Sequence, residues 1–209
     1  MTPYYETELG KLYHGDCLEI MPMLEPVDLV LTDPPYGIAE KYLKPSLKGE
    51  WSKLYSTKIT WDKSVLQDAI NLSIDISINQ IIWGGNYYLL TPKRGWLIWD
   101  KRQNHKSGHA ELAWTSIDMP IRNFAYSRVE LSNEDKKHPT QKPIPLFVWC
   151  LEFVPCTDYV LDPFFGSGTT AVACERLNRR WIGIEIEEKY CEIAAKRIEK
   201  ERSQLKLFT

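Results

Sequence analysis

The chain has 209 residues, 44% hydrophobic and 26% charged, a balance that suits one globular domain with a full core and leaves little room for a second. A formal net charge of −2 is not that of a protein that coats nucleic acid through bulk positive charge, so any phosphate-facing surface has to come from local clusters. No apolar run approaches the roughly 20 residues of a membrane span, the first residues do not resemble an export signal, and five cysteines without a C-x-x-C pair point to reduced thiols in a cytoplasm and away from zinc.

The first predicted element is a short strand from Lys11 that turns at Gly15-Asp16, followed by helical apolar spacing from Cys17 to Leu24. Val27 to Thr32 has the pattern of a buried strand, stopped by Asp33-Pro34-Pro35. Residues 37–62 lose periodicity and interleave Lys41, Lys44, Lys48, Lys53 and Lys58 with Tyr42, Trp51, Tyr55 and Trp61, a composition that suits a mobile flap gripping a nucleic-acid strand. A helix is predicted over 64–77, then strands over 80–83 and 95–99 and two more near 112–115 and 121–126. Arg122, Arg128, Lys136 and Lys137 are candidates for a second phosphate-facing patch.

A polar link leads to His138-Pro139-Thr140-Gln141-Lys142-Pro143 and a helix running to about Phe153. The last third is a βαβα pattern: strand 159–162, helix 167–178, strand 181–185 and a charged helix over 187–204. Strands alternating with helices predict an α/β fold, a mostly parallel sheet with helices on both faces.

Two stretches carry chemistry. Asp162-Pro163-Phe164-Phe165-Gly166-Ser167-Gly168-Thr169 sits where a strand becomes a helix, and its glycines let backbone N–H groups approach a ligand. Glu185 follows Asp162 by 23 positions and closes the next strand, where a carboxylate can accept from ribose hydroxyls. The G-x-G-x-x-G fingerprint of dinucleotide binding is absent and bulky residues occupy its opening, so a nucleoside cofactor without phosphates fits better than NAD. Asp33-Pro34-Pro35-Tyr36 stands at the carboxyl end of a buried strand and combines a carboxylate, proline carbonyls and a flat aromatic face. Such acceptors beside an aromatic plate suit an aromatic amine held by stacking and by its N–H donors.

Together these motifs resemble the DNA amino-methyltransferases of the permuted β type, in which the catalytic motif precedes the cofactor motif. His14-Gly15-Asp16-Cys17, His138 to Pro143 and Gly183-Ile184-Glu185 are similar as well, so the resemblance covers nearly the whole chain. It implies a single-domain Rossmann-like fold, S-adenosylmethionine as cofactor, no metal, and DNA as partner. It places Asp16, with Cys17 beside it, near the cofactor adenine and Glu185 on the ribose, with Thr140, Gln141 and Lys142 near the methionine end and Gly166 and Gly168 under it. Asp33, Pro34, Pro35 and Tyr36 become the catalytic set, Asp33 and the Pro34 carbonyl accepting from the target amine while Tyr36 stacks on the flipped base.

Asp at position 33 favours adenine N6, where cytosine-N4 members often have Ser. The alternatives are cytosine N4 methylation and a non-catalytic cofactor- or DNA-binding adaptor. Only residues 101–137 are available for target recognition, which implies a short or relaxed site and is similar to stand-alone phage or prophage methylases.

Overall fold

The computed structural model describes residues 1–36, 66–102, 108–127, 141–155 and 158–205. Among these, nine strands share one sheet: β1 (Tyr5–Glu6), β2 (Gly10–His14), β3 (Val27–Thr32), β4 (Ser77–Trp83), β5 (Trp96–Asp100), β6 (Ala110–Thr115), β7 (Arg122–Ala125), β8 (Tyr159–Asp162) and β9 (Arg180–Glu185). Their order is β1-β2-β9-β8-β3-β4-β6-β5-β7. From β2 to β4 every neighbour is parallel. β6 then runs antiparallel to both β4 and β5, while β7 returns parallel to β5. The α/β class expected from the alternating pattern is the one observed, with β1 and β6 making the sheet mixed.

The helices are α1 (Cys17–Ile20), α2 (Gln67–Asp75), α3 (Ile144–Glu152), α4 (Thr169–Arg176) and α5 (Glu188–Leu205). Successive strand side chains point to opposite faces, and the core divides accordingly. Leu12, Leu29, Leu31, Ile81, Trp83 and Val160 join one cluster with Leu146, Phe147, Ala171, Val172 and Ala194 of α3, α4 and α5. Tyr13, Val30, Leu161 and Ile184 join another with Cys17, Ile20 and Ala69 of α1 and α2. Both faces of the central strands are thus covered, which explains their near-continuous apolar sequences.

The helix expected over 17–24 is split. Pro22 has no N–H to donate, so α1 stops at Ile20 and a 3-10 turn, Met21–Met23, completes the segment. The strand β1, not anticipated, pairs antiparallel with β2 at the sheet edge. Four described cysteines, Cys17, Cys150, Cys174 and Cys191, are free and buried. Burial pushes the Cys17 and Cys191 thiols up to about 12, which leaves them packing residues with little thiolate. None of the described helices is long and apolar enough to cross a membrane.

Candidate active site

β3 continues through α2 to β4 on one side, and β8 continues through α4 to β9 on the other. The adjacent carboxyl ends of β3 and β8 are therefore a topological switch point, where open α/β sheets form their ligand crevices. A cavity of about 330 Å³ opens there. Of the candidates drawn from sequence, its wall contains Asp16, Cys17, Asp33, Pro35, Gln141, Lys142, Asp162, Pro163, Phe164, Phe165, Gly166, Ser167, Thr169 and Glu185. Pro34, Tyr36 and Gly168 are not in the lining. Gly168, at φ 77°, turns the chain into α4, and a Cβ there would press on Ala194 of α5 at 3.1 Å. Thr140, Arg128, Lys136, Lys137 and the lysines at 41, 44, 48, 53 and 58 lie outside the described residues, as does the expected flap over 37–62. Arg122 is exposed on the edge strand β7, away from the cavity.

On the β2 and β9 side the wall carries two carboxylates. Asp16 accepts from the Leu18 N–H at 2.8 Å and so caps α1 while also facing the cavity. Glu185 accepts from the Gly166 N–H at 2.7 Å and the Glu187 N–H at 2.9 Å, and burial pushes its carboxyl up to about 7. Asp162 is buried and also raised by burial, to about 6; its acceptors are occupied by the hydroxyls of Thr32 and Thr170 and the N–H of Phe164. The Gly-rich turn is held from behind by Arg197 of α5, which donates to the Ser167 carbonyl at 3.0 Å, its hydroxyl at 3.1 Å and the Thr169 hydroxyl at 3.0 Å. No local motif in the sequence marks Arg197, because its partners lie one helix away.

On the β3 side, Asp33 accepts the Tyr36 hydroxyl on Oδ1 at 2.5 Å and the Lys142 ammonium on Oδ2. Lys142 also lies 3.2 Å from the Tyr36 hydroxyl and 3.1 Å from Oε2 of Glu111 on β6, whose other oxygen pairs with Lys101. Burial pushes the Asp33 carboxyl up, against the pull of Lys142. Burial alone would lower Lys142, but the Asp33 and Glu111 carboxylates hold it above the ordinary lysine value. Glu111, which burial would raise, is brought to about 2 by Lys142 and Lys101. Lys101 and Glu111 fall in the stretch assigned from sequence to target recognition, and only the burial of Lys101 and the strand pairing of half-buried Glu111 with Trp99 mark them.

The Tyr36 ring stacks on Tyr87 at 4.8 Å and 14°. Gly84 makes this possible: at φ 69° it occupies the left-handed region, and a Cβ there would fall 2.1 Å from the Tyr36 ring. Tyr88 donates its hydroxyl to the Pro35 carbonyl at 2.8 Å and pins the turn from β4's side. The segment Gly84-Gly85-Asn86-Tyr87-Tyr88 is thus part of the site, although its glycines read in sequence only as the end of a strand.

The family model of N6/N4 DNA methylases matches residues 59–196, more than half of the sequence. The chain belongs to this family. The type II methyltransferase M2.LlaDCHI of Lactococcus lactis subsp. cremoris is 27% identical over 95% of this methylase and 92% of its own length. M2.DpnII of Streptococcus pneumoniae is likewise 27% identical, over 95% and 93%. Among solved structures, M1.HpyAVI in complex with SAM superposes with a TM-score of 0.62 at 22% identity, over 90% of this methylase and all of that chain. The cytosine-N4-specific PvuII DNA methyltransferase gives 0.61 at 17%, over 96% and 93%. At those identities the structural likeness speaks for the fold; membership of the family makes this an S-adenosylmethionine-dependent DNA amino-methyltransferase.

Proposed function

We propose that this methylase transfers the methyl group to the exocyclic N6 of adenine in DNA, with Asp33 as the acceptor that orients the target amine. The observation carrying the proposal is that Asp33 and Pro35 belong to the same cavity wall as Asp16 and Glu185. An amine held at Asp33 therefore faces whatever a nucleoside bound along that wall presents toward β3. Strands lie about 4.8 Å apart, so β9 and β3, separated by β8, are about 10 Å apart, a span that a ribose held at Glu185, the sulfur on its C5′, the methyl group and the target amine at Asp33 can fill together.

The donor set fits the cofactor. Asp16 and Glu185 are acceptors suited to adenine and ribose N–H and O–H groups, Cys17, Phe164 and Ile184 give apolar contact, and Gln141, Lys142 and Ser167 offer polar partners for an amino-acid end. When bound, S-adenosylmethionine supplies an already activated methyl group, so no metal or covalent enzyme intermediate is needed.

The exocyclic amine of a base is a weak nucleophile because its lone pair is delocalised into the ring. Accepting its N–H bonds at Asp33 and the Pro34 carbonyl localises that lone pair toward the methyl carbon, and the fixed geometry supplies the rest of the acceleration. Asp33 already takes one donor on each oxygen, yet a carboxylate has about four lone-pair sites, so it retains capacity for the substrate. The base must leave the stack to arrive there, and the Tyr36 ring, backed by Tyr87, offers it a new one. Phosphate contacts are assigned to Lys41, Lys44, Lys48, Lys53, Lys58, Arg122 and Arg128 on their charge, and the target is taken to be short or relaxed.

The test is transfer of a labelled methyl group to unmodified DNA, followed by nucleoside identification and mapping of modified positions. Labelled N6-methyladenine is expected. N4-methylcytosine would overturn the choice of base, unlabelled DNA would overturn catalysis in favour of an adaptor, and a long, strictly read motif would overturn the relaxed target.

A further inference from the structure

Four charged groups form a chain beside the reaction centre: Lys101, Glu111, Lys142 and Asp33. Both lysines are buried, at 2% and 5% exposure. Burying ammonium groups is costly unless every charge is paired and hydrogen-bonded, and a lysine at a strand end could reach water at far less cost. Each charge here has an opposite partner: Lys142 donates to Oδ2 of Asp33 and to the Tyr36 hydroxyl at 3.2 Å, and its charge is paired with Oε2 of Glu111 at 3.1 Å without a hydrogen bond. Two cations and two carboxylates also sum to zero. We propose that Glu111 is a positioning residue for methyl transfer: seated between Lys101 and Lys142 as an ion-pair partner of both, it shares the Lys142 charge with Asp33 and keeps the set neutral, so that Asp33 stays an acceptor for the substrate amine. This rests on the reading of Asp33 given above.

The chemistry gives this neutrality a purpose. Before transfer the positive charge lies on sulfur, and after it on the methylated nitrogen until a proton leaves. A cation is beside Asp33 throughout, so an uncompensated ammonium there would oppose both binding of the methyl donor and its reaction. Replacing Glu111 by Gln keeps the shape, leaves the Lys142 charge to bear wholly on Asp33, and gives the set one excess positive charge.

Three variants of the full chain test it: Glu111→Gln, Lys101→Met and the double substitution. Glu111→Gln is expected to lower kcat by about ten- to a hundred-fold, the scale of a misplaced reacting group, with S-adenosylhomocysteine binding little changed. Affinity for S-adenosylmethionine relative to S-adenosylhomocysteine should drop about three-fold or more, because only the former carries a sulfonium to be repelled. The acid limb of the kcat profile should move to lower pH, since the Glu111 charge no longer raises the Asp33 carboxyl. The other groups facing Asp33 are Lys142, Tyr36 and, from β8, Asp162, and all are retained.

Lys101→Met leaves the set one charge negative and should move the affinity ratio and the acid limb the opposite way, which keeps the test decisive if Glu111→Gln does not fold. The double variant restores neutrality and should regain most of the lost kcat. Wild-type kcat and an unshifted acid limb in Glu111→Gln would overturn the proposal, as would shifts of the same sign in both single variants or a double variant as slow as Glu111→Gln. Asp33→Ala is assayed alongside: if it still transfers methyl groups, the underlying reading has failed, whereas if it is inactive and Glu111→Gln behaves as wild type, only the role of Glu111 has.

Discussion

The hydroxyl of Thr32, the last residue of β3, donates to the carboxylate of Asp162, the last residue of β8, across 2.7 Å in the buried interior. One bond thereby joins the strand that delivers Asp33 to the strand that delivers the Gly-rich turn. Thr32→Val preserves shape and removes the donor, leaving buried Asp162 with fewer partners. A loss of about 1–3 kcal/mol is expected, the usual cost of stripping a buried acceptor, and should appear as a lower Tm. Thr32→Ser restores most of it if the hydroxyl is what matters; equal melting of Val and Ser variants would refute that.

Tyr36 serves two functions that substitution separates. Its hydroxyl donates to Asp33 at 2.5 Å and its ring stacks on Tyr87. Tyr36→Phe removes two hydrogen bonds, the one donated to Asp33 and the one accepted from Lys142, and at about 0.5–1.5 kcal/mol each is expected to slow transfer by about five- to a hundred-fold. Tyr36→Ala also removes the stacking face, worth about 1–3 kcal/mol per base, so it should fall at least about ten-fold further in kcat/KM for DNA. Equal losses would mean that the ring contributes nothing to holding the base.

Much of this organisation is legible in the sequence because it is local. The strand ends at Thr32, Asp162 and Glu185 follow from short apolar runs stopped by proline, glycine or a charge, and the parallel sheet follows from their alternation with helices. What is not legible is what comes from across the sheet. Lys101 and Glu111 occupy a β5–β6 hairpin whose antiparallel insertion beside β4 turns them toward Lys142, and strand periodicity cannot give the order of strands. Arg197 reaches the Gly-rich turn only because α5 packs on α4. Gly84 looks like an ordinary strand terminus until the Tyr36 ring is seen against it.

Glu185 makes cofactor binding pH-dependent with a definite sign. Burial raises its carboxyl from 4.5 to about 7, so below neutrality the unliganded protein holds it protonated. A ribose that donates hydrogen bonds favours the ionised form, and binding therefore releases a proton wherever the carboxyl is still protonated. Affinity for S-adenosylhomocysteine should rise as pH increases through about 7 and level off above it, changing by about ten-fold between pH 6 and pH 8. Glu185→Gln should bind more weakly and lose that dependence. A flat titration of the wild-type protein by calorimetry would remove Glu185 from the ribose site.

Gly84→Ala tests whether the aromatic stack is set by backbone approach. The new methyl group would sit 2.1 Å from the Tyr36 ring, so the ring or the 84–87 turn must move, and φ 69° strains any residue with a Cβ. The left-handed conformation alone costs about 1–2 kcal/mol; the clash adds to it. The cofactor cavity does not include Gly84, so S-adenosylhomocysteine affinity should be retained while methyl transfer falls. Because the ring hydroxyl bonds to Asp33, displacing the ring also loosens the acceptor, and the loss should fall on kcat as well as on KM for DNA. A variant that transfers at the wild-type rate would show that the Tyr36–Tyr87 stack tolerates displacement and does not position the base.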